Sequence, residues 1–123
     1  MKIDQELKTM IEKEALAIST VDSDGKPHTI AVAFAKVVDE DKIVITDNYM
    51  VNTIKNIKQN NNIAIAVWNR NWEEDLRGFE IKGTTEYFTE GKWKDFVKAL
   101  PENKGYPAKG IIVVTINKIK KLA

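Results

Sequence analysis

The chain contains no cysteine and a single histidine, His28. The lack of cysteine excludes disulfide bonds, thiolate nucleophiles and zinc or iron–sulfur sites held by cysteine. One histidine cannot build a multi-histidine metal centre, and no serine beside it resembles an activated nucleophile. Hydrolytic and metal-dependent chemistry therefore fit poorly, and we expect any chemistry to be carried by a bound cofactor.

Excess charge and long apolar runs are also absent. The 19 basic residues nearly balance the 18 acidic ones, so the formal net charge of +1 gives no general attraction to nucleic acid or to an anionic membrane. No apolar run approaches the roughly 18 residues of a membrane span, and the start MKIDQELKTM does not resemble a signal peptide. We therefore expect a cytoplasmic protein without membrane association.

The 123 residues are enough for one domain, 1–123, and the 43% that are hydrophobic can fill a core. Apolar patterning predicts helices at about 4–14, 49–59 and 90–100. It predicts strands at 15–21, 29–38, 43–46, 63–68, 78–88 and 111–116. Hairpin-length loops join the first three strands, which predicts an antiparallel meander.

The last predicted strand, IIVVTI at 111–116, is too apolar for a sheet edge that faces water. Gly83 indicates a bulge or a close backbone approach inside the fifth strand. Because closing a sheet removes exposed edges, we predict a mostly β fold, a six-stranded antiparallel barrel with short helices. A β-sandwich is the alternative architecture.

A polar turn and a helix start, DNYMVNT at 47–53, follow directly after the third predicted strand. The start of a helix presents free N–H groups and the positive end of the helix dipole, so it attracts anions. This segment is therefore the strongest candidate in the chain for binding a phosphate.

Four stretches resemble one known family when they are taken in order. They are ALAISTVDSDGKPHTIAVAF at 15–34, KIVITDNYMVNTIKNI at 42–57, GFEIKGTTEYF at 78–88, and Tyr106 shortly before IIVVTI. The chain resembles the FMN-binding split barrels of the pyridoxamine 5′-phosphate oxidase-like superfamily, above all the small stand-alone FMN-binding proteins. The resemblance covers nearly the whole chain. It implies a split β-barrel and a homodimer with FMN in grooves at the subunit interface.

The resemblance also implies which residues contact the cofactor. The second strand would line the flavin, the turn and helix start would meet its polar parts and phosphate, and aromatic side chains would stack on it or cover it from the partner subunit. The candidate cofactor-binding residues are Thr29, Ile30, Ala31, Val32, Ala33, Thr46, Asp47, Asn48, Met50, Asn52, Thr53, Trp68, Trp72, Tyr106 and Pro107. Thr53 matches the phosphate-binding pattern, whereas Asn52 stands where a basic residue is common, so Lys55 or another lysine would have to supply the charge.

Several of these residues also have a structural interpretation. Asp47 and Asn48 are favoured in turns and helix caps, and Met50 is a common core residue. Trp68 could fill the core, and Trp72 could anchor a loop. His28 reads more naturally as a residue at the edge of a turn than as an acid–base group.

The implied function is a redox or electron-transfer role, and as an enzyme the protein would be an FMN-dependent reductase or oxidase-like oxidoreductase. No residue reads as a catalytic acid, base or nucleophile. Pyridoxamine phosphate oxidation is not expected, because the chain has no basic cluster for a second phosphate. One alternative is a small barrel that binds single-stranded nucleic acid through Trp68, Trp72, Tyr87 and the lysines at 118–121. Another is a split barrel that uses deazaflavin or haem, or has lost its cofactor.

Overall fold

The computed structural model describes residues 2–122 and is built from seven strands and three short helices. The helices are α1 Gln5–Lys13, α2 Asn52–Gln59 and α3 Lys92–Lys98, and a 3₁₀ turn covers Pro101–Asn103. The strands are β1 Leu16–Val21, β2 Pro27–Val32, β3 Lys36–Asp39, β4 Lys42–Asp47, β5 Asn62–Trp68, β6 Gly78–Phe88 and β7 Gly110–Lys121. None of the helices in this part of the chain is long and apolar enough to span a membrane.

The strands form one antiparallel sheet in the order β2-β1-β5-β6-β7-β4-β3. The sheet curls around a core but its two edge strands are not paired with each other, which makes it a split barrel. The predicted mostly β, antiparallel fold is confirmed. The predicted number of strands, six, is wrong, because the expected strand 29–38 is two strands.

The break between β2 and β3 also overturns the predicted meander. β2 pairs with β1, whereas β3 pairs with β4 at the opposite edge of the sheet. Strand β2 ends at Val32 because its partner β1 begins at Leu16, the residue that pairs with Val32. Beyond Val32 the chain has no β1 residue left to pair with. Ala35 is fully buried in the core, and the chain crosses there from one edge of the sheet to the other.

Strand β7 lies in the middle of the sheet, between β6 and β4, as its apolar sequence predicts. It runs beyond the expected 111–116, because Lys118 and Lys120 pair with β6 rather than forming a loose tail. The ladder between β6 and β7 shifts register at Lys82 and Gly83. A Cβ atom at Gly83 would collide with the carbonyl oxygen of Thr115, which confirms the close backbone approach.

Two helices pack against the sheet where the sequence places them. Asp4 caps α1 by accepting the N–H of Leu7 at 2.9 Å, and the helix buries Leu7, Met10 and Ile11. α2 packs against β1, β2 and β6 through Ile54 and Ile57. It begins at Asn52, three residues later than predicted, since the chain before it forms a tight turn. α2 therefore presents its first turn toward strand β2.

Candidate functional site

A groove runs between β2 and the segment that joins β4 to α2, and its volume is about 440 Å³. Small-molecule sites in proteins typically occupy about 300–1,000 Å³. We call it the β2–α2 groove. Its lining residues are His28, Ile30, Ala31, Val32, Ala33, Thr46, Asn48, Tyr49, Met50, Val51, Asn52 and Thr53.

The groove brings together most of the candidate residues that the sequence suggested, from two separate stretches of the chain. His28, Tyr49 and Val51 also line it, and sequence reasoning did not select them. The sequence contained a signal for these residues, because Tyr49 and Val51 alternate with candidate residues in the same turn. His28 precedes Ile30 by two positions, the spacing that puts strand residues on one face.

Thr29 lies outside this groove. Its hydroxyl shares a 2.8 Å hydrogen bond with the hydroxyl of Ser19 on the neighbouring strand β1. Because successive strand residues point to opposite faces, Thr29 points away from His28 and Ile30. The polar side chain that the sequence placed on the flavin side of β2 is therefore part of a cross-strand pair.

Asp47 is fully buried, and its carboxylate is occupied by groups of the protein itself. Its Oδ2 accepts a 2.6 Å hydrogen bond from the Tyr87 hydroxyl, and its Oδ1 accepts the N–H of Met50 at 2.8 Å. Lys109 Nζ lies 3.8 Å from Oδ1. Burial and this hydrogen bond raise the pKa of Tyr87 far above its usual value. Asp47 therefore holds the turn from behind and does not line the β2–α2 groove.

The loop before β7 holds the other polar residues of the turn. Asn103 Nδ2 donates to Thr46 Oγ1 at 2.9 Å, and the N–H of Ala108 donates to Asn48 Oδ1 at 2.8 Å. Lys109 Nζ donates to the carbonyl oxygen of Met50 at 2.8 Å. Loop 103–109 thus fixes the turn at three points, and the wall of the groove is preorganised.

The start of α2 offers hydrogen-bond donors to the groove. The N-cap residue is Val51, which has no side chain able to cap the helix, so the first-turn N–H groups are not satisfied by a cap. Asn52 is exposed, whereas Thr53 lines the groove with only 1% of its surface accessible. This end of the groove suits an anion that accepts hydrogen bonds.

No lysine, arginine or carboxylate is among the residues that line the β2–α2 groove. Charged side chains lie just beyond its end, in a polar depression of about 490 Å³ whose lining includes Asp22 and Asp24 as well as two lysines. That depression shares His28 and Asn52 with the groove and adds Lys26 and Lys55. The two lysines of this depression are on the β1–β2 turn and on the second turn of α2.

Neither Tyr106 nor Pro107 is part of the groove lining, but Tyr106 contacts a residue that is. The Tyr106 ring meets the ring of Tyr49 edge to face, with 6.5 Å between the centroids. Both tyrosines are exposed, 72% for Tyr49 and 54% for Tyr106. An aromatic edge at the mouth of the groove is thus open to a ligand or a partner.

Trp68 and Trp72 are exposed at the end of β5 and in the turn after it, outside the groove. Trp68 is paired with Gly78 at the start of β6, whereas Tyr87 lies nine residues further along that strand, roughly 30 Å away. Tyr87 is also tied to Asp47. The aromatic set suggested for binding single-stranded nucleic acid is therefore not assembled on one surface.

Comparison with known proteins places this geometry in context. The family model described as pyridoxamine 5′-phosphate oxidase matches residues 3–123. The uncharacterized protein MJ0282 of Methanocaldococcus jannaschii is 34% identical over 129 residues, which cover 99% of this chain and 82% of that protein.

Solved structures give the same picture. HupZ from Group A Streptococcus is 29% identical and superposes with a TM-score of 0.87 over 98% of this chain and 94% of its own. An FMN-binding protein from Syntrophomonas wolfei subsp. wolfei has a TM-score of 0.77 over 98% of this chain and 88% of its own. It is only 18% identical, so it shows a shared fold alone.

Proposed function

The chain belongs to the pyridoxamine 5′-phosphate oxidase family and has its split-barrel fold, and from this we propose that it is a cytoplasmic, homodimeric flavoprotein with a redox role. The cofactor would be FMN, held in the β2–α2 groove. The observation that carries the proposal is that β2 and the start of α2, far apart in the sequence, meet in one groove of suitable size.

The long wall of the groove suits a flat ring. Ile30, Val32 and Met50 give it an apolar surface, and Ala31 and Ala33 are too small to obstruct it. β2 is an edge strand that pairs only with β1, so its other side keeps free backbone N–H and C=O groups. These groups can hydrogen-bond the polar edge of a flavin without any particular side chain.

The end of the groove suits a phosphate, although it lacks the usual cation. The first-turn N–H groups of α2 and the side chains of Asn52 and Thr53 would donate hydrogen bonds to phosphate oxygens. The charge would come from Lys26, with Lys55 close by, in the depression that adjoins Asn52. The departure at Asn52 would thus be offset by a lysine from the β1–β2 turn.

The open mouth of the groove supports the homodimer. Tyr49 and Tyr106 leave large aromatic surfaces exposed around it. Burying such surface is favourable, and aromatic side chains are enriched in interfaces. A second copy of the chain would cover these residues and shield the cofactor from water.

When bound, FMN supplies the hydride or electron chemistry. The residues of this chain would orient the ring, anchor the phosphate and exclude water. His28 is the only imidazole near the groove, and we assign no residue a catalytic role. As an enzyme, the protein would be a flavin reductase or an oxidase-like oxidoreductase.

The deciding experiment is a visible absorption spectrum of the purified protein, together with a titration that follows quenching of FMN fluorescence. We expect saturation at one FMN per chain, and a dimer by light scattering. A colourless protein that leaves FMN fluorescence unchanged would reject the proposal. Chromatography of the released pigment distinguishes FMN from deazaflavin and haem, and either of these would replace FMN as the cofactor.

A further inference from the structure

A second groove adjoins the β2–α2 groove, and three lysines line it. Its volume is about 540 Å³. Met50 and Val51 line both grooves, so the two grooves adjoin at these residues. We call it the lysine groove. Its lining residues are Asp47, Met50, Val51, Ile54, Lys55, Lys58, Tyr87, Thr89 and Lys109.

The lysine groove carries more positive than negative charge, since Lys109 Nζ lies 3.8 Å from the Asp47 carboxylate but the other two lysines have no such partner in the part of the chain that the structure describes. Asp47 is its only acidic residue, and this buried carboxylate already accepts hydrogen bonds from Tyr87 and from the N–H of Met50. Within residues 2–122, no carboxylate lies within 4.0 Å of the ammonium group of Lys55 or of Lys58. A surface with three lysines and one occupied carboxylate attracts anions.

The three ammonium groups come from two parts of the chain. Lys55 and Lys58 are three residues apart on α2, so they share one side of the helix. Lys58 Nζ lies 5.5 Å from the centroid of the Tyr87 ring, and Lys109 is anchored on the Met50 carbonyl. Lysine ammonium groups bind phosphate as point charges, and the hydroxyl of Thr89 adds a neutral donor.

We propose that the lysine groove binds the diphosphate of a pyridine dinucleotide. The inference rests on the proposed function, because a redox flavoprotein needs an electron donor. Met50, Val51, Ile54 and the Tyr87 ring provide apolar surface for the sugars and the base beside the charged groups. A dinucleotide anchored here by its diphosphate would lie next to the flavin groove, since the two grooves share Met50 and Val51.

Calorimetry with ADP-ribose on the FMN-loaded protein tests the site, because this probe carries the diphosphate but no nicotinamide. We expect saturable binding that raised salt weakens. Lys58→Gln should weaken it by about fivefold, the ratio that corresponds to one exposed ion pair. Lys58 is the variant of choice because it lines only this groove. Lys98→Gln on α3, which removes an exposed lysine away from both grooves, should change nothing.

Several results would overturn the inference. ADP-ribose that does not bind, or that binds Lys58→Gln and Lys98→Gln equally well, removes the site. Displacement of ADP-ribose by further added FMN would mean that the lysines hold the flavin phosphate instead. NAD⁺ that binds no more tightly than ADP would exclude a dinucleotide. FMN binding is measured separately by fluorescence. If FMN does not bind, the proposed function is rejected, and ADP-ribose calorimetry on the cofactor-free protein, with the same two variants, still decides the lysine groove.

Discussion

Tyr87 on β6 donates a 2.6 Å hydrogen bond to the fully buried carboxylate of Asp47 at the end of β4. These strands are not neighbours, since β7 lies between them in the sheet. The contact exists because Gly110 of β7 has no side chain in the space that the Tyr87 hydroxyl occupies. The buried carboxylate of Asp47 therefore links β4 to β6 across β7, and it also bonds to the turn that borders the β2–α2 groove.

Tyr87→Phe should destabilise the protein by about 1–3 kcal/mol, because the buried carboxylate of Asp47 loses its hydroxyl donor. The measurement is urea denaturation at neutral pH. Tyr106→Phe is the matched control, since its exposed ring has no such bond to lose. Equal unfolding midpoints for the two variants would show that the Asp47 contact does not stabilise the fold.

The same contact should make stability fall at alkaline pH. The pKa of Tyr87 is raised in the folded state, above the ordinary value of 10.0, by burial and by its hydrogen bond to Asp47. A group with a raised folded pKa contributes its full stability below the unfolded pKa and loses it as the pH rises toward the folded one. The free energy of unfolding should therefore decline from about pH 10 upward, and Tyr87→Phe should decline less steeply.

Gly110→Ala should destabilise the protein by about 1–3 kcal/mol, because a Cβ atom there collides with the ring and hydroxyl of Tyr87. Gly78→Ala is the control: the nearest atom to a Cβ at Gly78 is 3.6 Å away, an ordinary contact. Thermal unfolding of both variants makes the comparison. A Gly110→Ala protein as stable as Gly78→Ala would mean that Tyr87 has room to move.

Asn52→Arg should tighten FMN binding by about five- to tenfold, because it puts a cation beside the donors at the start of α2. Asn52→Asp should weaken binding by a similar factor through repulsion of the phosphate. Asn52 is exposed, so neither change disturbs the core. Gln5→Arg, exposed on α1 and outside the groove and the depression beside it, controls for a general effect of added charge. Fluorescence titrations in which the two Asn52 variants bind FMN equally would place the phosphate elsewhere.

Acid should weaken the link between α1 and the turn after β5. The buried Glu14 accepts a 2.7 Å hydrogen bond from Arg70 Nε, and Arg70 also donates to the carbonyl of Lys13 at 2.9 Å. Burial raises the pKa of Glu14, but the hydrogen bonds and charge of Arg70 outweigh it and leave the pKa below 4.5. A lowered folded pKa means that the stabilisation is present above pH 4.5 and is lost as the pH falls through the folded value.

Arg70→Gln should therefore cost about 1 kcal/mol at pH 7 and less at pH 3, because lowering the pH favours the protonated, uncharged form of Glu14. Urea denaturation at both pH values measures this difference. Arg77→Gln gives a reference, since its ion pair with Asp75 is exposed. A loss for Arg70→Gln that stays the same at both pH values would mean that packing, and not the Glu14 charge, is responsible.

The sequence predicted those parts of the fold that depend on local pattern. Asp4 caps α1, the apolar run at 111–116 lies inside the sheet, and Gly83 allows a close approach. The break after Val32 was missed because apolar residues continue through it, and only the missing partner beyond Leu16 ends β2. Residue types predict which segments form strands, but they do not predict which strands pair with each other.

The candidate site shows the same limit. The residues of β2 and the α2 start do meet in one groove, as the resemblance implied. The resemblance placed Asp47 and Thr29 against the cofactor as polar contacts, yet their polar atoms bond to Tyr87 and Ser19. Those partners are distant in sequence or on a neighbouring strand, so no local signal separates a polar group available to a ligand from one already bonded.

The order of the strands has a consequence for how the protein is made. A chain emerging from the ribosome delivers β1 to β4 early, but β2 and β4 reach the same sheet only through β5, β6 and β7. β4 pairs with β7 from Lys42 to Asp47, and this pairing cannot form until β7 has been synthesised. Pairings this distant in sequence form slowly, because a long loop must close first. The β4 strand, which leads into the turn that borders the groove, is therefore fixed in the sheet only after β7 has been made.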